Sequence, residues 1–182
     1  MKRLLLHTCC CPCFSSVFEQ IGKDYNLDLY FCNPNIRPDE EYNRRLEELK
    51  NYPPLSASPV KGRGTSEAGG GVNIIEGGRG EFIALPDAPE GGEKCRKCIE
   101  FRLNETAKYA SENNYVLFAT TLTVSPHKNA EIINEIGAKL SKEYNIEYLP
   151  SNFKKNNGYL RSLELSKQYN LYRQNYCGCE PR

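Results

Sequence analysis

An α/β fold with a mainly parallel sheet is predicted by three observations. Short apolar runs recur along the chain, each is followed by a segment with apolar residues at helical spacing, and turn-forming residues separate the two. Strands that alternate with helices build a parallel sheet covered on both faces, here a Rossmann-like three-layer sandwich. Arg3 to His7 reads as the first strand, Thr8 to Cys13 as a loop, and Ser15 to Ile21 as a helix. A second strand, Leu27 to Cys32, stops at Asn33-Pro34-Asn35, which forces a turn, and Asp39 then starts a helix that runs to Lys50. Helices over Lys97 to Asn113 and Asn129 to Tyr144 flank a strand over Tyr115 to Thr120. A short strand at Glu147 to Leu149 and a helix within Ser162 to Leu171 complete the pattern.

The periodicity fails between Tyr52 and Gly92, where ten of the fourteen glycines and five of the eleven prolines fall, so this stretch is expected to be loop-rich. Val72 to Ile75 and Phe82 to Leu85 are its two candidate strands. The 182 residues suit one core rather than two. The expected organisation is a single α/β domain over 1-182, with an irregular Gly/Pro-rich segment at about 52-92 and a C-terminal tail carrying Cys177-Gly178-Cys179.

Hydrophobic residues at 39% and charged residues at 26% describe an ordinary globular chain. The apolar start Leu4-Leu5-Leu6 is broken by His7 and the cysteines before a signal-peptide core can form, and no apolar run reaches membrane-spanning length. A cytoplasmic protein with no membrane partner is expected. A net charge of +1 excludes a global basic field, so any contact with RNA must come from a local patch.

The nine cysteines are the outlying feature. In a reducing compartment clustered thiols point to metal or redox chemistry rather than to a disulfide scaffold. Cys9, Cys10, Cys11 and Cys13 follow the first strand, and the carboxyl ends of parallel strands are where such sheets build binding crevices. Adjacent thiols on a regular strand point to opposite faces, so two of them can share one metal only where the backbone leaves strand geometry. Buried structural cysteine is the competing reading. Cys95-Arg96-Lys97-Cys98 is a C-x-x-C at the head of a helix, where the dipole favours thiolates. Alone it fits a redox dithiol, half a zinc site or half an iron–sulfur site. With Cys9 and Cys10 it completes four thiolates, enough for zinc or for a four-iron cluster, and spacing does not choose between them. Cys177 and Cys179 can close only a very small, strained ring or serve as two further metal ligands. Cys11 and Cys32 read as buried spare thiols.

These residues also carry a resemblance. Leu5-Leu6-His7-Thr8-Cys9-Cys10 with Pro12-Cys13, Asn33-Pro34-Asn35-Ile36 with Glu41-Tyr42, and Glu90 through Cys98 are three of its blocks. Thr120-Thr121-Leu122 with Ser125-Pro126 and Lys128-Asn129, Lys154-Lys155 with Gly158-Tyr159, and Leu171 through Cys179 continue it. In that order they resemble the QueH-type epoxyqueuosine reductases nearly end to end. The resemblance implies reduction of the epoxide of epoxyqueuosine in tRNA to queuosine. It further implies a [4Fe-4S] cluster on Cys9, Cys10, Cys95 and Cys98, at the carboxyl ends of the strands, and a redox-active disulfide between Cys177 and Cys179. Cys11 stands where that family usually has alanine, and about Pro53 to Val72 departs from its usual helix-to-strand passage.

Removing an epoxide oxygen takes two electrons and two protons, and a metal centre with an external electron donor can supply the electrons. An additional metal ion polarising the epoxide oxygen as a Lewis acid is a further expectation. Asp39, Glu40 and Glu41 are candidate proton donors or simply a solvated helix start. For the tRNA, Lys128, Lys154, Lys155, Arg161, Tyr172 and Arg173 form the basic and aromatic mixture that could hold an anticodon loop. His7 and His127 read equally as packing residues or ligands. Two alternatives remain: a structural zinc protein that uses the same four thiolates and binds RNA without redox activity, and a nucleotide-using RNA modification enzyme of the adenine-nucleotide hydrolase type, which the strand, loop, helix opening suits but for which it lacks a glycine-rich phosphate cradle.

Overall fold

Three consecutive leucines can all be buried only if their strand is covered on both faces, because successive side chains point to opposite sides. The computed structural model describes residues 1–56, 72–78 and 92–179, and in it β1 (Lys2–His7) is covered in this way. On one face Leu4 and Leu6 pack with Phe14 and Val17 of α1 (Cys11–Ile21), with Leu29 of β2 (Tyr25–Phe31), and with Leu46 and Leu49 of α2 (Asp39–Lys50). A four-residue turn of helix, α3 (Pro53–Ser56), and the short β3 (Ile74–Glu76) follow. On the other face Leu5 meets Leu103 and Ala107 of α4 (Glu93–Glu112) and Ile133 and Ile136 of α5 (Ala130–Glu143). The last helix, α6 (Gly158–Gln168), lies against α1, where Arg161 makes a two-pronged ion pair with Glu19.

With β4 (Leu117–Thr120) and β5 (Glu147–Tyr148) the sheet has the order β3-β2-β1-β4-β5, and every neighbouring pair is parallel. The chain winds outward from β1 to β3, then returns to β4 on the opposite side of β1. The carboxyl ends of β1 and β4 therefore form a topological switch point, where such sheets open a crevice. His7 locks it: Nδ1 lies 2.9 Å from Thr120 Oγ1 and Nε2 lies 3.3 Å from the Cys32 carbonyl oxygen. Burial holds its pKa well below the ordinary histidine value, so it is neutral and acts as a strand tie. At the far end of the strands Asp28 accepts from Tyr115 Oη at 2.9 Å and from Asn73 Nδ2 at 2.9 Å, which joins β2 to the approach of β3.

The α/β class, the parallel sheet and α2 agree with the expectation. Helices α1, α4 and α6 each begin four residues earlier than their apolar periodicity suggests, at Cys11, Glu93 and Gly158. In α1 the reason is Pro12: it sits in the first turn, where a missing N–H costs nothing, and so does not break the helix. Cys11 and Cys13 are helical rather than looped. Of the candidate strands in the irregular segment, Val72 to Ile75 corresponds to β3, while Phe82 to Leu85 lies outside the described residues. No described helix is long and apolar enough to cross a membrane.

Gly137 illustrates how packing overrides propensity. It stands in the middle of α5, where alanine would favour the helix by about 1 kcal/mol, but a Cβ there would come 2.4 Å from the Tyr148 ring. Tyr148 is held in place by its hydroxyl, which donates to Asn134 Oδ1 at 3.0 Å. Gly137→Ala is expected to destabilise the protein by about 1–3 kcal/mol as an overpacking change, read as a lowered urea midpoint with an unchanged slope. A raised midpoint would show that Tyr148 yields freely.

Candidate active site

Three chain segments bring cysteines to the switch point. After β1 the backbone bends at Cys9, and extended Cys10 then caps α1, which takes these two thiols out of strand alternation. Cys9 lies beside Cys10, and Cys10 beside Cys13. These contacts hold the Cys9 pKa well above the ordinary thiol value and push that of Cys10 up to about 12. Cys95 lies in the first turn of α4 and Cys98 one turn further, so both share a face. The tail then places Cys177 and Cys179 near Cys98.

That tail is clamped. Arg45 of α2 is 1% exposed and donates through Nε to Glu41 Oε1 at 2.7 Å, through Nη1 to the Cys177 carbonyl at 3.0 Å and through Nη2 to the Tyr176 carbonyl at 3.2 Å. Glu41 takes a further bond from Tyr172 Oη at 2.9 Å, and the Tyr172 backbone N–H donates to Glu48. The Arg37 N–H donates to the Gly178 carbonyl at 2.7 Å. Gly178 has φ +137, and a Cβ there would come 2.8 Å from Ile36 Cγ1, so glycine is required for this approach. Glu41 is therefore a buried tail anchor, while its neighbours Asp39 and Glu40 are exposed.

The clamp sets the tail sulfurs in different surroundings. Cys98 lies beside Cys179, and sharing a proton between them lowers the Cys179 pKa and raises that of Cys98. The helix dipole does not prevail at Cys98, because the shared proton and burial both favour its neutral form. Lys128 Nζ lies 3.2 Å from Cys177 Sγ. Burial opposes the Lys128 charge, and Cys177 and Cys9 more than offset it, so its pKa is raised. Cys11 and Cys32 are fully buried core thiols, as expected. Burial pushes the Cys32 pKa up to about 12.

Arg102, one turn beyond Cys98, was not legible as a site residue. It is 1% exposed and faces Cys98, Cys9 and Cys177. It donates to Asn33 Oδ1 at 2.5 Å, and Asn33 Nδ2 donates to the Thr8 carbonyl at 2.8 Å. The one available signal was an arginine at i+4 from Cys98, on the face that also carries the apolar residues of α4.

Among the described residues no group of three or more His, Cys, Asp or Glu stands close enough to hold a metal ion. The donor chemistry nevertheless fits an anionic, thiolate-bound group. No carboxylate pairs with Arg102 among the described residues, and its Nε is buried without a hydrogen-bond partner. A buried cation costs several kcal/mol unless an anion answers it, and the groups facing this one are thiols.

Next to Lys128 an open concavity of about 460 Å³ is lined by Pro126 to Glu131, Asn152 and Lys154. Lys154 Nζ donates to the Lys128 carbonyl at 2.6 Å, Lys155 is exposed, and His127 is an exposed part of the rim. The other expected substrate contacts are engaged within the protein. Arg161 holds Glu19 and Glu164, Arg173 donates to Ser166 Oγ at 3.2 Å, and Tyr172 is bonded to Glu41 with the Arg44 guanidinium 3.4 Å above its ring.

A family model described as Epoxyqueuosine reductase QueH matches residues 4–180. Proteins of that name are 40% identical in Streptococcus pyogenes serotype M1, over 97% of this chain and 68% of the relative, and 39% identical in Staphylococcus epidermidis, over 97% and 74%. The protein of that name from Thermotoga maritima is 33% identical over 98% of this chain and 89% of its own.

Two outcomes follow from the site geometry. A thiol whose pKa is lowered keeps its thiolate to lower pH than an ordinary cysteine, so alkylation of Cys179 should persist to lower pH than that of a free thiol. Peptide mapping after brief iodoacetamide treatment reads this, and Cys98→Ala should move the midpoint upward. Arg45→Met strands the Glu41 carboxylate and frees the tail, with an expected loss of about 3–5 kcal/mol and faster proteolysis near Tyr176. Unchanged stability and protection would show that the tail does not depend on this clamp.

Proposed function

Because the chain belongs to the epoxyqueuosine reductase QueH family, we infer that it is an oxidoreductase that reduces the epoxide of epoxyqueuosine in tRNA to queuosine, the last step of queuosine synthesis. The observation that carries the placement of this chemistry is the convergence of thiols from three segments around Arg102 at the switch point. Opening the epoxide and forming the alkene takes two electrons and two protons and releases water.

Cys9, Cys10, Cys95 and Cys98 are the residues that would hold a [4Fe-4S] cluster, which when bound supplies electrons singly and without cobalamin. Arg102 keeps a fixed positive charge beside these thiols. Lys128 holds its ammonium on Cys177 and lines the concavity in which we place the modified base. Lys154 braces the Lys128 backbone and, with exposed Lys155, offers charge to the phosphates of the anticodon loop. Arg161, Tyr172 and Arg173 support the fold and the tail, so the proposed tRNA contacts narrow to Lys128, Lys154 and Lys155.

Cys177 and Cys179 are proposed to exchange between dithiol and disulfide, passing reducing equivalents from an external donor. The hydrogen-bonded backbone of Cys177 and Gly178 and the contact of Cys179 with Cys98 support this reading.

The test is anaerobic conversion of epoxyqueuosine-containing tRNA, followed by nucleoside mass spectrometry. The wild-type protein should form queuosine with a strong reductant. The Cys177→Ser, Cys179→Ser double variant should keep its iron and a single turnover while multiple turnover with a thiol donor collapses. Loss of iron in that variant would place the pair among the ligands, and an inert wild-type protein would contradict the assigned reaction.

A further inference from the structure

Arg102 is held in an unusual way for a buried arginine. Its orientation comes from Asn33, a neutral amide tied in turn to the Thr8 carbonyl at the end of β1. An aspartate at position 33 could accept the same bond and would cancel the charge, whereas asparagine fixes the guanidinium and leaves its charge uncompensated. Nε remains buried without a partner. Cys98, Cys9 and Cys177 are the groups that face it.

We propose that Arg102, held by Asn33, is a positioning residue that sets the reduction potential of the iron–sulfur cluster by compensating the charge of each added electron. The inference rests on the reading that Cys9, Cys10, Cys95 and Cys98 hold that cluster. Reduction adds one electron from the donor and one unit of negative charge to the thiolate-bound group, with no bond made or broken. A fixed positive charge in a poorly screened interior stabilises the reduced form more than the oxidised form. Arginine does not titrate near neutrality, so its contribution should not vary with pH there.

The experiment uses the full chain reconstituted anaerobically, with iron and sulfide counted and the midpoint potential taken from an EPR-monitored titration at two pH values near neutrality. Arg102→Gln removes the charge, Asn33→Asp neutralises it without touching the arginine, and Arg102→Lys retains it. The first two variants should each make reduction at least about tenfold less favourable, which is about 59 mV for a one-electron couple. The lysine variant should stay within about threefold of wild type by the same conversion. If Arg102→Gln folds by circular dichroism and binds no iron while Arg102→Lys does, the charge requirement is upheld in a stronger form. Potentials within about threefold of wild type for both neutralised variants, or equal loss of iron from all three variants, would overturn the proposal. A wild-type protein that takes up no iron would remove the cluster reading and this inference together.

Discussion

A guanidinium buried among thiols, with no carboxylate paired to it among the described residues, is the constraint on which the rest of the site depends. Placing Arg102 there costs several kcal/mol in lost hydration, more than its bond to a neutral amide returns. Negative charge gathered on the sulfurs around it would offset that cost. The arrangement ties the chemistry of the cysteines to the architecture, because the sulfurs come from the end of β1, the start of α4 and the tail, and Arg102 faces all three.

The sheet order explains how such distant segments meet. Reversal of the winding direction at β1 opens a crevice between β1 and β4. His7, neutral and buried, keeps the strand ends in register at that point. The Asn33 to Arg37 turn after β2 serves the site twice: Asn33 orients Arg102, and Arg37 binds the Gly178 carbonyl. The Glu41–Arg45 pair completes the tail anchorage from one turn of α2.

Much of the fold was legible because hydrophobic period and turn residues are local signals. The apolar run from Arg3 to His7 announced the first strand, and the Asp39 to Lys50 helix agreed to the residue. Helix starts were less legible, since Pro12 looks like a breaker in sequence and is a tolerated first-turn residue in space. The cysteine groups stood out through composition alone. Arg102, Asn33, Glu41 and Arg45 did not, because each resembles an ordinary surface residue of a helix or turn until tertiary packing buries it. Glu41 is 8% exposed beside exposed Glu40, a difference that only the position of the tail creates. Arg161 and Arg173 read as free charge in the sequence, and in the structure they are engaged by Glu19, Glu164 and Ser166, partners that lie far off or out of view in the sequence pattern.

The central claim is that the thiols gathered around Arg102 hold a single iron–sulfur cluster through Cys9, Cys10, Cys95 and Cys98. Its most direct measurement is the iron and sulfide content of the reconstituted wild-type protein and of four single serine variants at those positions, prepared side by side without oxygen. The expected result is brown wild-type protein with equal iron and sulfide, and loss of both in each variant that remains folded. Full iron and sulfide in two or more of the four variants, or a colourless wild-type protein carrying zinc, would contradict it.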